Sequence, residues 1–95
     1  MPFLINSVTD SHGKLIPERA ETQDTKLTFS VETSQPNQTF TVRNSKNVLV
    51  SSKSGPDKQG TVDVDLGGRP KGEYAFNAAS VPDTEFSKSY RIYLV

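Results

Sequence analysis

The stretch that decides the fold runs from Thr61 to Ala79, TVDVDLGGRPKGEYAFNAA. In its first half Val62, Val64 and Leu66 alternate with Thr61, Asp63 and Asp65. In its second half Tyr74, Phe76 and Ala78 alternate with Glu73, Ala75 and Asn77. A hydrophobic period of two puts one side of the chain in a core and the other in water, which is a half-buried β-strand. The GGRPKG segment between the two runs supplies the turn.

Working outward, the same alternation recurs. Lys26 to Glu32 turns Leu27, Phe29 and Val31 to one side, and Thr39 to Asn44 does so with Phe40 and Val42. Phe3 to Val8 reads as a first strand, and Thr9 to Gly13 as a turn whose Asp and Ser bond the local backbone. Leu15-Ile16-Pro17 is extended and belongs on an edge, because Pro17 has no N–H to give to a ladder. Glu18 to Thr25 is polar. Val48-Leu49-Val50 is a short apolar run with two parities open: both valines inward, or Leu49 inward. Ser51 to Gly60, SSKSGPDKQG, reads as a mobile surface crossing. Ser80 to Glu85 is a turn signalled by Pro82-Asp83, and Phe86 to Val95 is a last strand with Tyr90, Ile92 and Leu94 on one face.

No segment carries a 3.6-residue stripe. About seven short strands separated by turn chemistry predict a single all-β domain over residues 1–95, an antiparallel β-sandwich, with a small closed barrel as the alternative. Parity predicts a core of Ile5, Leu27, Phe29, Val31, Phe40, Val42, Val62, Val64, Leu66, Tyr74, Phe76, Ala78, Tyr90, Ile92 and Leu94.

Composition narrows the function. The 95 residues hold eleven Lys and Arg against eleven Asp and Glu, with no basic cluster of the kind that nucleic acid or an anionic membrane demands. There is no cysteine, hence no disulfide or thiol chemistry. No apolar run approaches a membrane span, and no export signal is visible at Met1-Pro2-Phe3-Leu4-Ile5. Two readings follow, a cytosolic protein or one module cut from a longer exported chain, and the ending at Ile92-Tyr93-Leu94-Val95, which reads as mid-strand, favours the second.

Several motifs add to the pattern. They are Ile5-x-x-Val8-x-Asp10-x-x-Gly13, Asp24-Thr25-x-Leu27-Thr28, Phe40-Thr41-Val42, Asp57-x-x-Gly60, Leu66 with Gly72-x-Tyr74-x-Phe76, and Ser89-Tyr90-x-Ile92. In this order the chain resembles the tandem bacterial immunoglobulin-like repeats of large surface adhesins and related exported proteins. It departs from them where Thr61-Val62 stands after Gly60 in place of a Trp, and in the Gly-Gly-Arg-Pro of its loop. The resemblance implies an immunoglobulin-like sandwich in which Tyr74 forms a tyrosine corner, its hydroxyl bonding back to the preceding backbone. It also implies a rigid, non-catalytic spacer module in an extracellular or cell-surface repeat protein, with neighbouring domains of its own chain as partners.

Candidate chemistry is sparse. His12 is the lone histidine, and without clustered carboxylates it reads as a solvated turn residue. Asp63 and Asp65 share an outward strand face with no enclosing cleft, so they read as a solvated face opposite Lys26. Asp10, Asp24 and Asp83 lie in turns and offer oxygens to Ca²⁺, without any known loop spacing. No nucleophile, phosphate loop or zinc spacing is present, so neither an enzyme nor a cofactor is expected. The alternative to a spacer is a carbohydrate- or protein-binding module, on its own or appended to a secreted enzyme or phage fibre. Phe3, Phe86 and Tyr93 are the aromatics left outside the core, and a partner face would comprise Arg43, Glu73, Asn77, Arg91 and Tyr93. Either reading expects a monomer.

Overall fold

A computed structural model of the chain describes residues 3–44, 47–81 and 85–95. Eight strands appear among them: β1 (Leu4–Asp10), β2 (Glu21–Thr22), β3 (Lys26–Glu32), β4 (Thr39–Asn44), β5 (Asn47–Lys53), β6 (Gln59–Asp65), β7 (Gly72–Ser80) and β8 (Tyr90–Leu94). They form two sheets, β1-β3-β6 and β2-β8-β7-β4-β5. The two alternating runs that decide the fold therefore lie in different sheets, and their apolar sides meet. Phe29 of one sheet sets its ring edge-on to Phe76 of the other, 4.9 Å between centroids.

The predicted sandwich is the one observed, with one parallel pair. The chain follows β1 back as far as Leu15, which bridges Thr9, then crosses to the second sheet. The crossing turns tightly at Pro17, whose carbonyl accepts from Ala20 N–H, with Arg19 at φ 69°. Glu21 and Thr22 then run parallel to Tyr93 and Leu94. Two residues of parallel pairing carry no alternation, so this strand is invisible in the sequence.

Twelve of the predicted core residues are buried, and Ile5, Val62 and Tyr90 are partly buried against them. Phe3, Val8, Ile16 and Ala79 are buried as well. Phe3 is thus not an exposed aromatic: it is fully enclosed. A bulge explains part of this. The β1 register slips between Ile5 and Ser7, so Asn6 is extra, and Ile5 and Val8 both face the core despite their odd separation. A second bulge lies opposite Val42 and Arg43. There Leu49 and Val50 both pack on the core and Val48 is left 57% exposed, which matches neither parity foreseen for that run.

The expected mobile crossing from Ser51 to Gly60 is largely ordered structure. Ser51–Lys53 continue β5, and Gln59 and Gly60 begin β6. What remains is closed by Gly55 N–H to Gln59 O (2.9 Å), Lys58 N–H to Gly55 O (3.1 Å) and Ser54 N–H to Gln38 O (2.9 Å). Buried Thr33 donates to buried Ser54 at 2.8 Å, pinning the two sheets together at this end. Gly60 is needed for contact: a Cβ there would stand 2.7 Å from Phe40 Cε1. The turn expected at Pro82-Asp83 falls outside the described residues.

Register sets the poles. Leu4, Glu32, Gln59, Lys53 and Ser80 lie at one end, and Asp10, Lys26, Asp65, Gly72 and Leu94 at the other. Phe3 and Val95 therefore stand at opposite ends of a body whose longest extent is 35 Å.

Candidate functional site

Three places bring polar side chains together. The first is the outward face of the five-stranded sheet. Tyr74, Phe76 and Ala78 point inward, so Glu73, Ala75 and Asn77 point outward. Pairing sets Glu73 opposite Tyr93, Ala75 opposite Arg91, and Asn77 opposite Arg43. Glu73, Asn77, Arg43, Arg91 and Tyr93 therefore share one face, spread along β7 with Ala75 between them.

Two aromatic rings mark the ends of this face. Tyr93 donates its hydroxyl to Glu73 Oε2 at 2.9 Å. That hydrogen bond, with the carboxylate's charge, pushes the phenol pKa up, while Arg19 and Arg91 pull against it. Arg19 was not foreseen here. Its N–H bonds Arg91 O at 2.6 Å, which holds it beside β8, and a positive-φ residue in a polar run gives no sequence signal of such a position. At the other end Phe86 bridges Ala79 and stays 42% exposed, with the Arg43 guanidinium 5.8 Å from its ring centroid. Near that end Asn77 Oδ1 and Thr41 Oγ1 are buried without a hydrogen-bond partner among the described residues.

The second place is the turn after β1. Ligand atoms of Asp10, His12 and Asp24 lie within 4.8 Å of one another, so His12 does have clustered carboxylates beside it, contrary to expectation. The acids are already committed. Asp10 Oδ1 accepts from the N–H groups of His12 and Lys14, both at 2.9 Å. Asp24 Oδ2 accepts from Ser11 N–H (2.9 Å) and Ser11 Oγ (2.5 Å), and Oδ1 from Lys26 N–H (3.0 Å). These bonds, the Ser11 hydroxyl foremost, hold the Asp24 pKa down to about 2, with a smaller pull from His12 at 3.7 Å. The cluster staples the turn to the start of β3, and the His12 side chain is 86% exposed. Asp83, the third acid considered for Ca²⁺, lies outside the described residues.

The third place is the outward face of the three-stranded sheet. Lys26 stands opposite Asp65, and Thr28 donates to Asp63 Oδ1 at 2.8 Å. At the opposite end of this sheet Asn6 donates to Gln59, which donates to Glu32, both at 3.0 Å. Asp63 thus has an ordinary cross-strand partner, and Asp65 Oδ1 accepts from Gly67 N–H at 2.8 Å.

The expected tyrosine corner is present: Tyr74 donates its hydroxyl to Pro70 O at 2.5 Å. A second phenol does similar work, Tyr90 donating to Ile16 O at 2.6 Å and tying the sheet crossing to β8.

No family model matches the chain, and no curated protein matches it. Among solved structures it is similar to the fibronectin(III)-like modules of Clostridium thermocellum CbhA. That match has a TM-score of 0.57 and 18% identity, and covers 92% of this chain and 93% of that one. At such identity the likeness speaks for the fold, and it does not extend to the adhesin repeats that the motifs resemble. The chain has the fold of an immunoglobulin-like, fibronectin(III)-type β-sandwich.

Proposed function

We propose that this domain is a non-catalytic module of a longer exported chain, holding its neighbours at a fixed separation outside the cell. The observation that carries the reading is the placement of Phe3 and Val95 at opposite poles of a 35 Å body. A module entered at one end and left at the other adds its full length to a string. The ordered connection at residues 54–58 and the Asp24 staple make both ends stiff. The polar clusters consist of hydrogen-bonded turns and cross-strand pairs, which is the chemistry of a scaffold.

The test is small-angle scattering on one copy and on two copies joined head to tail. The expected result is a tandem whose maximum dimension grows by about one module length, with each copy monomeric. A tandem that folds back to a compact particle would refute the spacer. The second reading, a binding module for glycan or protein, is favoured by the gathering of Arg43, Glu73, Asn77, Arg91 and Tyr93 on one sheet face.

A further inference from the structure

We infer that the outward face of the five-stranded sheet binds a linear acidic polysaccharide, laid along β7 between Tyr93 and Phe86. This rests on reading that face as a contact surface, and goes beyond it by naming the ligand class.

The geometry is that of a sheet face with an aromatic ring near each end. Tyr93 lies level with Glu73 and Phe86 level with Ala79. Six residues of strand separate those levels, about 20 Å at the usual rise. Each ring is held by a polar neighbour, Tyr93 by its bond to Glu73 and Phe86 by the Arg43 guanidinium. The strand between them shows Ala75 and Asn77, side chains too small to block a chain of sugar rings. The apolar face of a sugar stacks on an aromatic ring, and the spacing suits an oligosaccharide with one sugar over each ring.

Charge selects the class. Arg19 and Arg91 flank Tyr93, and among the described residues the one ion pair is His12–Asp24 at 3.7 Å, so neither arginine is spent on a carboxylate. A guanidinium presents a planar fork that matches a carboxylate in two bonds. Glu73 is engaged by the Tyr93 hydroxyl, and Glu21 sits at the rim, opposite Tyr93 on β2. A glycan whose carboxylates reach Arg19 and Arg91 answers this arrangement, whereas a neutral one leaves them without a partner.

The experiment is affinity electrophoresis and titration calorimetry of the full chain with polygalacturonate, and with neutral galactan as the comparison. The variants are Arg91→Ala, Arg91→Lys, Tyr93→Ala and Tyr93→Phe, with Lys26→Ala on the opposite sheet as control. Circular dichroism melts confirm that each is folded, and the two conservative changes keep the test open should an alanine variant fail to fold. The expected result is polygalacturonate binding that weakens with salt, falls about tenfold or more in Arg91→Ala and Tyr93→Ala, and persists in Lys26→Ala. Arg91→Lys should keep part of the affinity, because charge survives without the fork. Equal binding by all variants would overturn the assigned face. Galactan binding as strong as polygalacturonate binding would overturn the acidic class and leave the face standing. Binding to neither glycan, as a protein partner would produce, would overturn the inference; the scattering test of the spacer would stand apart from it.

Discussion

The Tyr74 hydroxyl meets the carbonyl of Pro70 at 2.5 Å, four residues back, and closes the loop that carries the chain from one sheet to the other. The ring itself is buried and stacks on Phe76 at 5.9 Å. Tyr74→Phe keeps that packing and removes the donor. It should cost about 1–3 kcal/mol, since the Pro70 carbonyl loses its partner in a half-buried corner. Urea unfolding should show a lower midpoint with an unchanged slope. A variant as stable as the wild type would mean that the corner contributes nothing.

Gly60 and Phe40 make a prediction of the opposite kind, in which adding one carbon does harm. The ring of Phe40 is fully buried and cannot swing aside, and a methyl on residue 60 would stand 2.7 Å from it. Gly60→Ala should destabilise by about 1–3 kcal/mol, the usual range for overpacking. Pairing it with Phe40→Leu should recover part of the loss, which thermal melts of the four combinations would reveal.

Phe29 and Phe76 join the two sheets edge to face. Either one changed to Ala should cost about 3–5 kcal/mol, enough to unfold much of the population in a domain this small. A double-mutant cycle should assign about 0.5–1.5 kcal/mol to the ring pair itself. Additive losses would show that each ring acts only through burial.

Asp24 sets a pH dependence. Its pKa falls from 3.8 to about 2 on folding, because the Ser11 hydroxyl, Lys26 N–H and Ser11 N–H all bond the ionised form. The folded state therefore binds the proton less readily than the unfolded state. The stabilisation is complete above 3.8 and is lost as the pH falls through 3.8 towards 2 and below. Asp24→Asn should be less stable at neutral pH, and the gap should close in acid. Melting curves of both proteins between those pH values measure it; a constant gap would detach the carboxylate's charge from stability.

Much of the fold could be read from residues alone, and particular residues show where reading stopped. Lys26–Glu32 and Thr39–Asn44 were legible to the last residue because period two runs through them unbroken. The outward set Glu73, Asn77, Arg43, Arg91 and Tyr93 follows from the same parity, since whatever does not face the core must face out. Parity fails at a bulge, so the inward turn of Val8 and the exposure of Val48 could not be foreseen. It says nothing about a two-residue strand such as β2, nor about Arg19.

Residue order alone settled which side of each strand is apolar, and hence that two sheets close on one core. Burial of apolar surface acts residue by residue and writes its period into the chain. The folded arrangement was needed to show which strands are neighbours: that Arg19 comes to lie beside Tyr93, that Asp24 reaches back to Ser11, and that Gly60 passes flat against Phe40. Those encounters join residues far apart in the chain, and they depend on how the two sheets sit on each other, which no local pattern encodes.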